Sequence, residues 1–180
     1  MQIDKIPPGL NPPKDINVII EIPGGPAGGQ PVKYEIDKES GALIVDRIVN
    51  VPMFYPNNYG FVPNTLHEDG DPVDAMVRTE VTLVPGSVIR CRLIGVLHME
   101  DDGGIDDKLI ALPLEHIDPF QAEIQTLEDL PKRHRQRIWH FFENYKALES
   151  GKWARVTGWG DQAEAERILM ESIERGKAKA

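Results

Sequence analysis

From Ser87 to Met99 the chain follows a period of two, with Ile89, Cys91, Leu93, Gly95, Leu97 and Met99 on one side and Arg90, Arg92 and His98 on the other. That period belongs to a β-strand, and a strand requires neighbours. Shorter candidates surround it. Val18 to Ile22 is an apolar run with one charged member, Glu21. Val32 to Asp37 puts Lys33 and Glu35 on one face and Tyr34 and Ile36 on the other. Leu43 to Val49, Ala75 to Val84, Lys108 to Leu112 and Trp153 to Trp159 also read as strands, with Ser40-Gly41 and Pro85-Gly86 as turns. Pro7 to Pro13 suits neither a helix nor a central strand and reads as a lead-in along the surface.

Helical periodicity comes late. Ile138, Phe141, Phe142, Tyr145 and Leu148 recur at three- and four-residue spacing after Pro131, with Gly151 as the expected stop. Asp161 and Glu164 resemble a capping box ahead of a second helix with an inner stripe of Ile168, Leu169, Ser172 and Ile173, expected to end at Gly176. Many short strands and two C-terminal helices predict a mainly β fold of the α+β class, a small barrel or strongly curved sheet with helices outside. With 180 residues, 41% of them hydrophobic, the chain suffices for one domain, residues 1–180.

A net charge of −9 argues against a broad nucleic-acid partner. The lone Cys91 falls on the apolar side of its strand and reads as a core residue rather than a reactive thiol; it excludes an internal disulfide, in keeping with a reducing compartment. No apolar run approaches the length needed to span a membrane, and Met1 to Ile6 does not resemble a signal peptide, so the cytoplasm is the expected location. Lys132, Arg133, Arg135 and Arg137 form a basic patch expected at the solvated start of a helix, or at a subunit contact.

The chemistry concentrates in Asp69-Gly70-Asp71-Pro72-Val73-Asp74, three carboxylates in six residues around a permissive Gly and a rigid Pro. By itself this is an acidic surface turn. A second cluster, Glu100, Asp101, Asp102, Asp106 and Asp107, follows the long strand. If the two share one rim, their carboxylates cannot all stay ionised without cations, and hard divalent ions take oxygen ligands of this kind. Lys33, Arg47, Lys108 and Lys146 are not needed to hold a metal, so they point to a polyanionic ligand, with phosphate the natural choice. The aromatic loop from Pro52 to Pro63 adds Tyr55 and Tyr59, either packed in the core or donating to a bound oxyanion. Gly24 to Gly29 lacks the Lys-Ser/Thr ending of a phosphate-binding P-loop. A calcium loop starting at Asp69 would place Glu80 at its twelfth position, but Val73 fills a ligand position and Asp74 replaces the required Gly. A non-catalytic acidic barrel would leave the cations idle.

The Asp69 to Asp74 segment closely resembles the signature of soluble family I inorganic pyrophosphatases of bacterial type. Glu21, Lys33-Tyr34-Glu35, Asp46-Arg47, Phe54-Tyr55-Pro56, Asn58-Tyr59-Gly60, the Asp101 to Lys108 loop and Tyr145-Lys146 match the family in order. The resemblance implies a closed five-stranded OB-like β-barrel and Mg²⁺-dependent hydrolysis of inorganic pyrophosphate to two orthophosphates, by in-line attack of a metal-activated water. It implies several Mg²⁺ ions held by Asp69, Asp74 and Asp106, joined by Asp101, and phosphate oxygens held by Lys33, Arg47, Tyr59, Tyr145 and Lys146. Asp71 is the first choice for the general base, with Asp106 as the alternative; Glu21, Glu35, Tyr55, Asp102 and Lys108 complete the rim. A homohexamer is expected on the same ground. Two departures stand out: Asp102 occupies a place where some relatives are expected to carry Glu, and the Gly24 to Gly29 connector is longer than usual.

Overall fold

The computed structural model describes residues 1–25 and 32–179, so most of the Gly24 to Gly29 connector lies outside the described residues. In chain order the elements are β1 (Ile16–Ile22), β2 (Val32–Ile36), β3 (Leu43–Ile48), β4 (Asn58–Phe61), β5 (Asp74–Val77), β6 (Val88–Asp101), β7 (Gly104–Ile105), β8 (Lys108–Pro113), helix α1 (Lys132–Asn144), β9 (Ala154–Gly160) and helix α2 (Gln162–Lys179). Five strands close in a ring: β1 pairs with β4, β4 with β5, β5 with β8, β8 with β6, and β6 returns to β1. Only β5 and β8 run parallel among these pairs. The ring is the closed five-stranded fold expected. β7 and β9 extend it at the far end of β6, and β2 with β3 form a separate hairpin.

The long strand is bent. Leu93 pairs with Ala111 but Gly95 pairs with Ile110, so Ile94 is an extra residue on β6. Alternation changes sides there. Cys91, Leu93 and Val96 pack inside the ring, whereas Ile94, Leu97 and Met99 join a second core on its outer surface. The single apolar face drawn from the sequence is therefore two faces, because one inserted residue inverts a period of two.

The two helices serve the two cores. α2 closes the ring interior with the buried Ala165, Ile168, Leu169 and Ile173, and Ser172 is buried as predicted. α1 lays Ile138, Phe141 and Phe142 over the outer core. Their ends differ from expectation. α1 stops at Asn144, and Leu148 is exposed. α2 runs through Gly176 to Lys179, because Gly176 is a contact point rather than a terminator: a Cβ there would lie 2.7 Å from the Asn64 carbonyl oxygen.

Strand character after β5 also ends earlier than the sequence implies, at Val77. The Asn58 side chain takes the place of a neighbouring strand, donating to Thr79 Oγ1 at 2.8 Å and accepting from the Leu83 amide at 2.9 Å. Val81 and Val84 consequently face solvent.

Candidate active site

One pocket of about 380 Å³ lies where the hairpin, the end of α1 and the two acidic loops meet. Asp69, Asp71, Asp74, Asp101, Asp102 and Asp106 all line it. So do Lys33, Arg47, Lys108 and Lys146, Tyr55, Tyr59 and Tyr145, and Glu21 and Glu35. Every residue given a site role by the resemblance lines it, whereas Glu100 and Asp107 of the second acidic cluster and Glu80 of the calcium-loop alternative do not.

Local structure fixes each group. Gly70 has φ +95°, the left-handed region that glycine adopts without strain, and the Asp71 amide donates to Asp69 Oδ1 at 3.0 Å. The loop is clamped at its base, where the His67 amide donates to the Asp71 carbonyl at 2.6 Å and the Val73 amide to Thr65 Oγ1 at 3.0 Å. Parallel pairing of β5 and β8 sets Asp74 directly beside Lys108. The Lys108 ammonium, on a side chain only 2% exposed, donates to Asp74 Oδ2 at 2.5 Å and also to Asp106. Tyr59 OH donates to the same Asp74 oxygen at 2.5 Å.

The opposite wall is cationic. Cross-strand register on the hairpin opposes Lys33 to Arg47, and like charges directly opposed are unfavourable. Nearby acids compensate: Lys33 pairs with Glu35 and lies 3.5 Å from Asp46, while Arg47 reaches Asp46 at 2.6 Å and Glu149 at 3.1 Å. Beyond the end of α1, Lys146 Nζ donates to Asp101 at 2.7 Å and Asp102 at 2.9 Å. Tyr145 stacks on Phe141 with centroids 5.6 Å apart.

Electrostatics show how crowded the acids are. Burial pushes the Glu21 carboxyl up to about 8, and Asp74 and Glu35 add to the rise. Its partner is the backbone amide of Ile36 at 2.7 Å, not the lysine that a charged residue within a strand suggests. Burial also raises Asp106 to about 6; Lys108 works against the rise and Asp74 with it. Asp69 is raised by burial and by Asp74. Asp102 behaves oppositely, held well below the usual carboxylate range by hydrogen bonds from Lys152 and Lys146. Burial keeps Tyr59 and Tyr145 neutral far above ordinary pH.

Among the described residues no three carboxylate or imidazole groups stand close enough to enclose an ion unaided. The oxygen-only donor set nonetheless fits a hard cation that completes its sphere with water and substrate oxygens. Acids driven toward protonation by burial and by one another are groups that a divalent ion would hold ionised.

Two pocket residues escaped the sequence reading. Lys38, near the hairpin tip, donates to Asp71 Oδ1 at 2.7 Å, and Lys152 donates to Asp102 at 2.5 Å. Both sit on turns, where nothing in the local pattern fixes a direction. The sole available signal was their place just beyond segments already singled out, Lys33 to Glu35 and Tyr145-Lys146.

A family profile described as inorganic pyrophosphatase matches residues 18–177. An inorganic pyrophosphatase of Brucella melitensis is 53% identical over 179 residues, covering 99% of this chain and 100% of the relative. Among solved structures, an inorganic phosphatase of Anaplasma phagocytophilum superposes with TM-score 0.93 at 42% identity, covering 96% of this chain and 99% of that one. The inorganic pyrophosphatase of Thermus thermophilus gives TM-score 0.91 at 41% identity, over 98% and 99%.

Proposed function

The chain belongs to the inorganic pyrophosphatase family, and from that membership we propose that it hydrolyses inorganic pyrophosphate to two orthophosphates with Mg²⁺ in the pocket described. The observation that carries the reading is one pocket lined both by Asp74 and Asp106, joined through Lys108, and by the cross-strand cations Lys33 and Arg47. An acidic floor under a cationic wall suits a metal-complexed polyanion and little else.

Asp69, Asp74 and Asp106 would hold the cation, with Asp101 joining when substrate arrives. When bound, a divalent ion supplies charge to polarise phosphoryl oxygens and eases deprotonation of water. The remaining work belongs to the chain. Lys33, Arg47 and Lys146 exchange their carboxylate partners for phosphate oxygens, and the neutral hydroxyls of Tyr59 and Tyr145 donate to oxygens on which charge builds. Lys38 engages Asp71 through Oδ1, which leaves Oδ2 to take a proton from the attacking water as phosphate departs in line. Glu21, Glu35, Tyr55 and Asp102 hold this frame.

Mixing the protein with pyrophosphate and Mg²⁺ and assaying released orthophosphate tests the reading. Activity that chelator abolishes is the expected result; no release at any divalent-ion concentration overturns it. The same reading carries action as one domain, a cytoplasmic setting and a homohexamer, which light scattering checks. The exposed apolar residues of β3, Leu43, Ile44, Val45 and Ile48, supply a surface for association.

A further inference from the structure

Asp106, just ahead of β8, and Lys108, its first residue, line the pocket, whereas Asp107 between them does not. Asp107 instead meets His98 of β6. The strands place the two opposite each other: Leu97 pairs with Lys108, and the Asp106 amide donates to the Met99 carbonyl at 2.9 Å. His98 Nδ1 lies 3.0 Å from Asp107 Oδ1, and Nε2 lies 3.3 Å from Glu164 Oε2 in the first turn of α2. Asp107 is only 7% exposed. Arg167 flanks the cluster, 3.7 Å from Glu164, and the buried His67, from the loop that carries Asp69 and Asp71, lies within electrostatic reach of Asp107.

Two features show that the contact is built in. The Asp161 side chain caps α2 by accepting from the Glu164 amide at 2.9 Å, but Glu164 reaches the imidazole instead of folding back to complete a capping box. Gly160 leaves the room, since a Cβ there would overlap Glu164 Oε2 and come 2.7 Å from His98 Nε2. Burial alone would lower the His98 pKa; the two carboxylates overcome it and leave the ring raised.

We propose that His98 is a positioning residue: clasped to Asp107 and braced by Glu164, it fixes the register of the residues leading into β8, so that divalent-cation affinity at Asp106 depends on helix α2. A slip of one residue would turn Asp107 into the pocket and Asp106 out of it. The inference rests on the reading of Asp106 as a cation ligand.

Asparagine can offer an amide nitrogen near the place of imidazole Nδ1, and glutamine near that of Nε2. His98→Asn therefore keeps the bond to Asp107, whereas His98→Gln keeps only the reach to Glu164. Calorimetric titration with Mg²⁺ in the absence of substrate, alongside Tm and KM for pyrophosphate at saturating metal, separates the cases. His98→Gln is expected to weaken Mg²⁺ binding about tenfold without a matching change in KM, and His98→Asn to stay near the parent. Glu164→Gln should follow in the same direction with a smaller loss. Unchanged Mg²⁺ affinity in His98→Gln, even with a lowered Tm, overturns the proposal, as does equal impairment of the Asn and Gln variants. Asp106→Asn tests the underlying reading. If it binds Mg²⁺ like the parent, the ligand assignment fails and this inference with it; if it abolishes binding while His98→Gln does not, only this inference fails.

Discussion

Lys108 holds two carboxylates with one buried ammonium, and removing it leaves both uncompensated. Lys108→Met is expected to cost about 3–5 kcal/mol in urea unfolding, part of it restored by Mg²⁺. Asp71 lies at the other extreme, exposed, with Lys38 as the one partner of its carboxylate among the described residues. Asp71→Asn should therefore lower kcat by roughly 10²–10⁴-fold while KM moves little; steady-state kinetics checks both. Glu21 links the pocket to pH. Its folded pKa of about 8 lies above the usual 4.5, so the native state keeps a proton that the unfolded chain releases. That contribution is complete below about 4.5 and is lost as pH rises through about 8. Without divalent ions, stability relative to Glu21→Gln should fall across this window, by at most roughly 4–5 kcal/mol at 1.36 kcal/mol per pKa unit; unfolding curves at pH 5, 6.5 and 8 decide it. The identities of these residues were legible because the acidic and cationic types are unusual in an apolar setting and recur in family order. Their pairings were not, since Lys38 and Asp71 are joined by folding and not by any local period.

Elements were easier to locate than to bound. Strands β1, β6 and β8 and the inner stripe of α2 were visible in their periodicity. The bulge at Ile94 was not, because an extra residue within an apolar run leaves no mark. Boundaries failed where tertiary packing replaced local signals: Asn58 substitutes for a strand after Val77, and Gly176 continues a helix that glycine ordinarily ends. Gly176 gives a further prediction. Alanine is better than glycine in a helix by about 1 kcal/mol, yet here the new methyl would press on a backbone carbonyl. Gly176→Ala should therefore destabilise the protein by about 1–3 kcal/mol, read as a lower urea midpoint; a stabilised variant would show that α2 yields readily.

At the scale of the molecule, a chain of net charge −9 gathers six aspartates at one pocket, so a cation that binds only the native state should stabilise it. Mg²⁺ at a hundred times its Kd is expected to add about 2.7 kcal/mol, visible as a rise in Tm that chelator reverses. From patterning alone ring closure was legible only as a choice between a barrel and a curved sheet, because pairing of β1 with β6 joins segments whose local patterns say nothing of each other; the family resemblance supplied the closed form. The parallel join of β5 to β8 carries a last consequence. Asp74 and Lys108 become neighbours only when that seam is stitched across the intervening β6 and β7. Long-range pairings of this type form late, so during refolding the circular dichroism of strands and helices should recover ahead of turnover, and a half-assembled intermediate should be inert.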